Sequence, residues 1–415
     1  MNVRRRSAAA LAAIAVIGGA AAPAVAADPS PSASAPAGLY GTADPTYDGV
    51  WRQSLALLAQ DTAGVVPAPR AVDWLTGQQC GNGAFAPFRA DPAKPCDAKT
   101  PVDTNNTAAA VQAVAALGGR GDVVEDALGW LKSVQNKDGG WGYTPGGPSD
   151  ANSTSVVIGA LTATGTDPGK VRKGGKSPYD ALLTFALPCK GEGAGAFAFQ
   201  PDEDGKLVAN ADATAAGVLG ALGTGLVAEP AEKATDATCS EPGSPAQAAA
   251  NGAAHLADAV AEDGHLVSAL AGAEDQPDYG NTADAVVALA AQGGAGKAAK
   301  PLAWLKKNAA TWAEQSGPAA YAQLVFAAHA TGTDPRDFGG TDLVARLNAT
   351  GPAPQGAEAS DTATAKDQNN GNNENNGDEK KDENGFGVWW FVGVCLVAGI
   401  GIGFLISGRK RKQQP

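Results

Sequence analysis

The chain has 415 residues, with 43 acidic against 31 basic side chains and a formal net charge of −12. Every acidic residue lies between positions 27 and 385, whereas seven basic ones (Arg4 to Arg6 and Arg409 to Lys412) lie outside that interval. The body is thus more acidic than the total, which argues against nucleic acid as a partner and is otherwise an ordinary surface for a secreted protein.

Residues 1–26 read as a signal peptide: Arg4, Arg5 and Arg6 precede an apolar run from Ala8 to Ile17, and Ala24-Val25-Ala26 offers a small-residue cleavage site. A flexible segment, 27–46, leads to the folded domain, 47–350. Residues 351–385 form an Asn/Asp/Glu-rich stalk, too poor in apolar side chains to fold. From Phe386 to Ser407 there is no charge, Trp389 and Trp390 stand near the outer edge, and a basic tail, 408–415, follows. That pattern predicts one transmembrane helix in the cell membrane, with the tail in the cytoplasm and the folded domain outside. Four of the five cysteines (Cys80, Cys96, Cys189, Cys239) fall in the domain, and an even number in an oxidising compartment predicts two disulfides. Proximity in sequence favours Cys80 with Cys96 and Cys189 with Cys239; three connectivities remain open.

Within the domain a unit recurs. Thr154 precedes Gly165 by eleven residues, and the same offset links Gln53 to Gly64, Thr107 to Gly118, Asp212 to Gly223, Thr282 to Gly293 and Tyr321 to Gly332. Each copy is rich in Ala, Val and Leu on all sides and stops at glycine, as expected of a helix buried all round. Amphipathic segments alternate with them, marked by Trp74-Leu75, Trp130-Leu131 and Trp304-Leu305, with Thr184-Phe185, His255-Leu256 and Arg346-Leu347 in equivalent slots. Six inner and six outer helices predict an all-α (α/α)6 toroid, with an open solenoid as the alternative. Every outer-to-inner loop then falls at one end, the mouth, and these loops carry Phe85, Phe88, Trp141, Tyr143, Phe197, Phe199, Tyr279 and Trp312.

The run Gln135-Asn136-Lys137-Asp138-Gly139-Gly140-Trp141-Gly142 resembles the QW-type repeat of squalene and hopene cyclases, with weaker copies at Gln78 to Phe85 and Glu262 to Leu266. By helix pairing the chain is similar to the terpenoid cyclase and protein prenyltransferase toroids, and to bacterial secreted, membrane-anchored proteins with prenyltransferase/squalene oxidase repeats. In layout it also resembles the cobalamin carriers of animals, which are secreted, disulfide-bonded and not enzymes. The cyclases use an Asp-x-Asp-Asp acid, in which neighbouring carboxylates hold one proton; this chain has no such motif, and Asp202-Glu203-Asp204 reads as an exposed loop. The prenyltransferases hold zinc with Asp, Cys and His; here the thiols are committed to disulfides and His255, His265 and His329 do not converge, so no metal and no resident cofactor is expected.

The mouth instead collects polar groups placed by the repeat. Asp103, Asp150 and Asp278 stand four residues before their anchors, and Asn106, Ser153 and Asn281 one residue before. The latter three read as helix caps, and the two sets together also read as a ring of amides and carboxylates around a central pocket. With Trp141, Tyr143, Asn152, Phe197, Phe199, Asp212, Tyr279 and Tyr321 they form the candidate ligand site; no catalytic residue is assigned. The expectation is a tethered binding protein that captures an extracellular small molecule, a corrinoid by the resemblance to the cobalamin carriers, for a membrane transporter. The alternatives are an enzyme, either cyclase-like or a glycan hydrolase built on two of Asp103, Asp150, Asp212 and Asp278, and a structural or partner-binding surface protein whose mouth is plugged by its own loops.

Overall fold

The structure is a computed structural model that describes residues 36–232, 239–268 and 276–356. The expected signal peptide, the stalk beyond Gly356, the span 386–407 and the basic tail lie outside the described residues. Within them, no helix is long and apolar enough to cross a membrane.

In chain order the helices are α1 (Gly49–Thr62), α2 (Pro69–Gly77), α3 (Thr104–Leu117), α4 (Gly121–Ser133), α5 (Ala151–Ala163), α6 (Pro178–Leu183), α7 (Ala211–Leu222), α8 (Pro245–Ala259), α9 (Tyr279–Gly293), α10 (Ala295–Asn308), α11 (Ala310–Ser316), α12 (Pro318–Ala330) and α13 (Leu343–Asn348). Two small antiparallel hairpins, β1 (Ala198–Pro201) with β2 (Leu207–Ala209) and β3 (Leu266–Val267) with β4 (Pro277–Asp278), sit in outer-to-inner connections. The molecule is otherwise all-α. Asp202-Glu203-Asp204 makes the exposed turn of the first hairpin.

The alternating pattern has a direct structural counterpart. Helices α1, α3, α5, α7, α9 and α12 pack side by side in that order, and α12 packs back on α1, so the cycle closes. Each has its own partner on the outside: α2, α4, α6, α8, α10 and α13 respectively. The inner helices are apolar on every side because every side meets protein; α12, for example, buries eleven of its thirteen residues. The outer helices bury one stripe, and the marker pairs supply it: Leu75, Leu131, Leu256, Leu305 and Leu347 are all within about 1% of full burial. Five of the six repeat glycines (Gly64, Gly118, Gly165, Gly223 and Gly332) take positive φ just past the inner helices; in the remaining copy Gly294 does so in place of Gly293.

The cycle is sealed where chain beginning and chain end meet. Tyr40 is fully buried; its N–H donates to Gln53 Oε1 at 2.8 Å and its hydroxyl to the Pro352 carbonyl at 2.9 Å. Gly41 N–H donates to Thr350 O at 2.8 Å, and Gln60 Nε2 to Asn348 Oδ1 at 2.6 Å. The packed body thus takes in residues on both sides of 47–350. The disulfides are Cys80–Cys96 and Cys189–Cys239, one of the three open connectivities.

Candidate ligand-binding cavity

The starts of the inner helices are built from one repeated polar unit. Asp103, Asp150 and Asp278 are the N-caps of α3, α5 and α9, each accepting the amide of the third helical residue: Asn106 N at 2.7 Å, Ser153 N at 2.6 Å and Asn281 N at 3.0 Å. The other carboxylate oxygen accepts from that residue's side chain, Asn106 Nδ2 at 2.7 Å, Ser153 Oγ at 2.8 Å and Asn281 Nδ2 at 2.7 Å. The caps are therefore the aspartates, and Asn106, Ser153 and Asn281 close the unit from inside the helix instead of capping it. The next residue is threonine, and its hydroxyl accepts a loop amide: Phe85 N to Thr107, Trp141 N to Thr154, Phe197 N to Thr214 and Leu266 N to Thr282, all at 3.0–3.1 Å. This bond hangs the outer-to-inner loops before α3, α5, α7 and α9 on their inner helices.

The threonine fixes the register of the copies. In α7 the anchor is Thr214 and the cap is Asn210, which accepts from Ala213 N at 2.8 Å. The repeat as read from the sequence, with Asp212 as anchor, is thus displaced by two residues. In the corrected register Asp212 is the second helical residue, equivalent to Asn105 in α3, Asn152 in α5 and Gly280 in α9. Side chains at that position turn inward: Asn105, Asn152 and Asp212 line one cavity at the centre of the inner helices.

That cavity has a volume of about 110 Å3 and is lined by all six inner helices. Besides those three, Asp284 of α9, Gln323 of α12 and Ser155 of α5 give it polar groups, whereas Trp51, Leu55, Leu219, Val287 and Phe326 are among its apolar walls. Thr224, Gly225 and Leu226, the strap that follows α7, close its far end. The strap is latched by Gln112: Leu226 N donates to Gln112 Oε1 at 2.8 Å, while Gln112 Nε2 donates to Val156 O at 3.1 Å. A Cβ at Gly225 would come within 2.2 Å of Gln112 Oε1, so a side chain there would displace the latch. Among the described residues, then, the part of the chain that blocks the centre lies at the end opposite the outer-to-inner loops.

Asp212 and Asp284 are deep in the protein yet open onto the cavity, which no Lys, Arg or His lines. Asn152 Nδ2 donates to Asp212 Oδ2 at 2.5 Å, and Gln323 Nε2 donates to both oxygens of Asp284 at 3.2 Å. Burial pushes Asp284 up to about 7, and the negative charge of Asp212 pushes the same way, followed by that of Asp278; the Gln323 amide opposes them. Asp212 is pushed up to about 6, chiefly by burial and also by Asp278, against the Asn152 hydrogen bond. Burial likewise lifts Asp103 and Asp150 to about 6 despite their cap bonds, and it lifts Asp278.

Of the residues singled out from the sequence, Asn152 and Asp212 meet in the cavity. Asp103, Asn106 and Tyr143 form a second group: burial, and then the charge of the Asp103 carboxylate, raises the pKa of the Tyr143 hydroxyl. Asp150 with Ser153 and Asp278 with Asn281 are the other cap units. Trp141 and Phe197 lie in the core behind the wall; Trp141 Nε1 donates to Leu131 O at 2.7 Å, and the Phe197 ring packs on Gly217 and Gly252. Phe199 is half-buried against the core and Tyr321 is buried in α12. Tyr279 belongs to a stack of rings, 4.9 Å from Trp304 and 5.5 Å from Trp312, with His265 on Trp304 at 4.4 Å. Asn105, Asp284, Gln323 and Trp51 were not foreseen. The signal for Asp284 was present: it is the lone charge in the otherwise apolar TADAVVALAAQG copy.

No protein-family model matches the chain, and no curated protein matches it. Solved structures similar to it include a protein from Actinoplanes, 16% identical with a TM-score of 0.47, covering 72% of this chain and 95% of that one. Another is ent-copalyl diphosphate synthase from Streptomyces platensis, 16% identical with a TM-score of 0.46, covering 68% of this chain and 50% of that one. A sugar epimerase from a ruminal bacterium is 16% identical with a TM-score of 0.42, covering 65% and 80%. At these scores the likeness says nothing about chemistry.

Proposed function

We propose that the closed cycle of helix pairs is an (α/α)6 toroid of the terpenoid cyclase-like kind, and that it serves as a small-molecule-binding domain whose ligand sits in the central cavity. The observation that carries this reading is the set of unsatisfied polar atoms on residues that line the cavity. Asn105 Oδ1, Asn152 Oδ1 and Ser155 Oγ are buried without a hydrogen-bond partner. A buried polar atom left unpaired costs about 1–3 kcal/mol, so three around one cavity favour a role in which something arrives to pair them. The ligand enters where the inner helices begin, because the strap closes the other end. A corrinoid is larger than a cavity of this size encloses, and nothing observed supports it.

The two disulfides fit an oxidising compartment. Together with the charge-free run 386–407 they support a domain displayed outside the cell on a tether. Tethering and capture fit delivery of the ligand to a membrane transporter.

The test is a screen of small fragments by ligand-observed NMR against the full-length protein and against Ala216→Phe, which puts a ring into the cavity. Hits that disappear in the variant support the reading. Hits that persist unchanged, or no hits at all, overturn it.

A second reading is favoured by one observation, the pair Asp212 and Asp284 with elevated pKa values in a pocket without a base. On that reading the cavity is an acid–base site, and Asp284→Asn abolishes turnover while ligand affinity persists.

A further inference from the structure

The cavity reading leaves the chemical class of the ligand open, and the donor and acceptor inventory of the wall narrows it. Asn152, a lining residue, gives its Nδ2 to Asp212, which leaves Oδ1 as its unpaired acceptor. Gln323 spends its Nε2 on Asp284. Each carboxylate therefore holds one amide donor and has further lone pairs free. Asn105 Oδ1 and Asn152 Oδ1, on side chains only 2% and 5% exposed, are unpartnered acceptors. The wall thus asks for hydrogen-bond donors.

Charge points the same way. The groups facing Asp212 are Asp150 of α5 and Asp278 and Asp284 of α9, and those facing Asp284 are Asp212 and Asp278; no cation appears among them. An anion is repelled by this set. A neutral alcohol would fill acceptors but leave the carboxylates uncompensated in a low-dielectric site, where an opposite charge is worth most. Below the polar level the walls are apolar, and they include the aromatic Trp51, a ring type that attracts cations. The acidic body raises the local concentration of cations at the entrance. A cavity of about 110 Å3 is somewhat smaller than one of ~150 Å3 that holds benzene, which limits the enclosed body to about half a dozen heavy atoms.

We propose that the cavity is selective for a small organic cation, with a protonated amine held by Asp212, Asp284 and the carbonyls of Asn105 and Asn152, and a short apolar body against Trp51, Leu55 and Phe326. This rests on the reading of the cavity as a ligand site. Because the amine favours ionised carboxylates, binding releases protons from the Asp212–Asp284 pair near neutral pH.

The experiment titrates n-butylammonium, 1-pentanol and butyrate, three bodies of similar size, into the full-length protein at pH 7 by calorimetry in two buffers of different ionisation enthalpy. The expected result is n-butylammonium binding at least about tenfold tighter than 1-pentanol, no butyrate binding, and proton release for the ammonium alone. Asp284→Asn and Asp212→Asn, near-isosteric and checked for folding by circular dichroism, are each expected to weaken n-butylammonium at least about tenfold and leave 1-pentanol within about threefold. If 1-pentanol binds as tightly as the ammonium, or if calcium chloride binds in preference to it, the cation assignment falls while the cavity reading stands. If n-butylammonium binds equally to wild type and to Ala216→Phe, it binds elsewhere and the assignment falls. If no probe binds at all, the assignment falls, and the fragment screen then decides the cavity reading separately.

Discussion

Asp284 is a half-buried carboxylate, deep in the protein and open to the cavity, whose folded-state pKa, about 7, lies above its ordinary value of 3.8. Between those values the folded state binds the proton and the unfolded state does not, so stability falls as pH rises through the interval. Asp103, Asp150 and Asp212 contribute in the same direction between 3.8 and about 6. The ligand-free protein is therefore expected to melt higher at pH 5 than at pH 8. Asp284→Asn, which removes the charge and keeps the shape, is expected to stabilise at pH 8 by at least about 1 kcal/mol and to give no gain at pH 4. Thermal melts across that range check both; a wild-type melting temperature that rises steadily from pH 5 to 8 would contradict the burial argument. The same group illustrates what residue identity alone shows: a single Asp in an apolar helix marks a position of interest, but not that Asp212, from another helix, faces it.

At the scale of the element, the recurring device is a loop amide bonded to the threonine of the following helix. Thr154→Val keeps the shape and leaves Trp141 N without its acceptor, at a cost of about 1–3 kcal/mol; the denaturant midpoint is expected to drop accordingly while Thr162→Val, on the exposed end of the same helix, stays within about 0.5 kcal/mol. The strap offers a second case. Gln112→Leu removes both latch bonds, so the amide of Leu226 is expected to exchange with solvent at least about tenfold faster at unchanged global stability per residue elsewhere in α7. Exchange mass spectrometry over 223–232 reads this directly, and unchanged protection there would mean that packing of Gly225 on Gly159, not the latch, holds the floor.

For the whole molecule, the closed cycle means that no inner helix is an end, and each is clamped by two neighbours and an outer partner. Cys189, in the connection after α6, is bonded to Cys239, in the connection before α8, and so closes a loop of 50 positions that contains α7. Closing a loop of that length is worth about 4 kcal/mol by chain entropy, against about 3 for the 16-position Cys80–Cys96 bridge. The paired change Cys189→Ser with Cys239→Ser is expected to lower the unfolding midpoint more than Cys80→Ser with Cys96→Ser does. Equal effects would show that the longer loop stays ordered when the rest unfolds.

The all-α class, the alternation of wholly apolar with amphipathic helices and the glycine stops were legible in the sequence by itself, because each is a consequence of periodicity and local backbone preference. That these helix starts are capped was legible too, but the caps were read at Asn106, Ser153 and Asn281 and are in fact Asp103, Asp150 and Asp278: which oxygen meets which amide depends on dihedral angles. The site was legible only in part: Asn152 and Asp212 stood among the candidates, whereas Asn105, Asp284 and Gln323 did not. Its register turns on Thr214, whose role appears only when a loop amide reaches it from Phe197. Its members, Asn105, Asn152, Asp212, Asp284 and Gln323, come from five helices spread over more than 200 positions, and the first three share one place in the repeat only in the register that Thr214 reveals. Only closure of the cycle brings them to one cavity, and only burial there, far from any cation, changes what their carboxylates do.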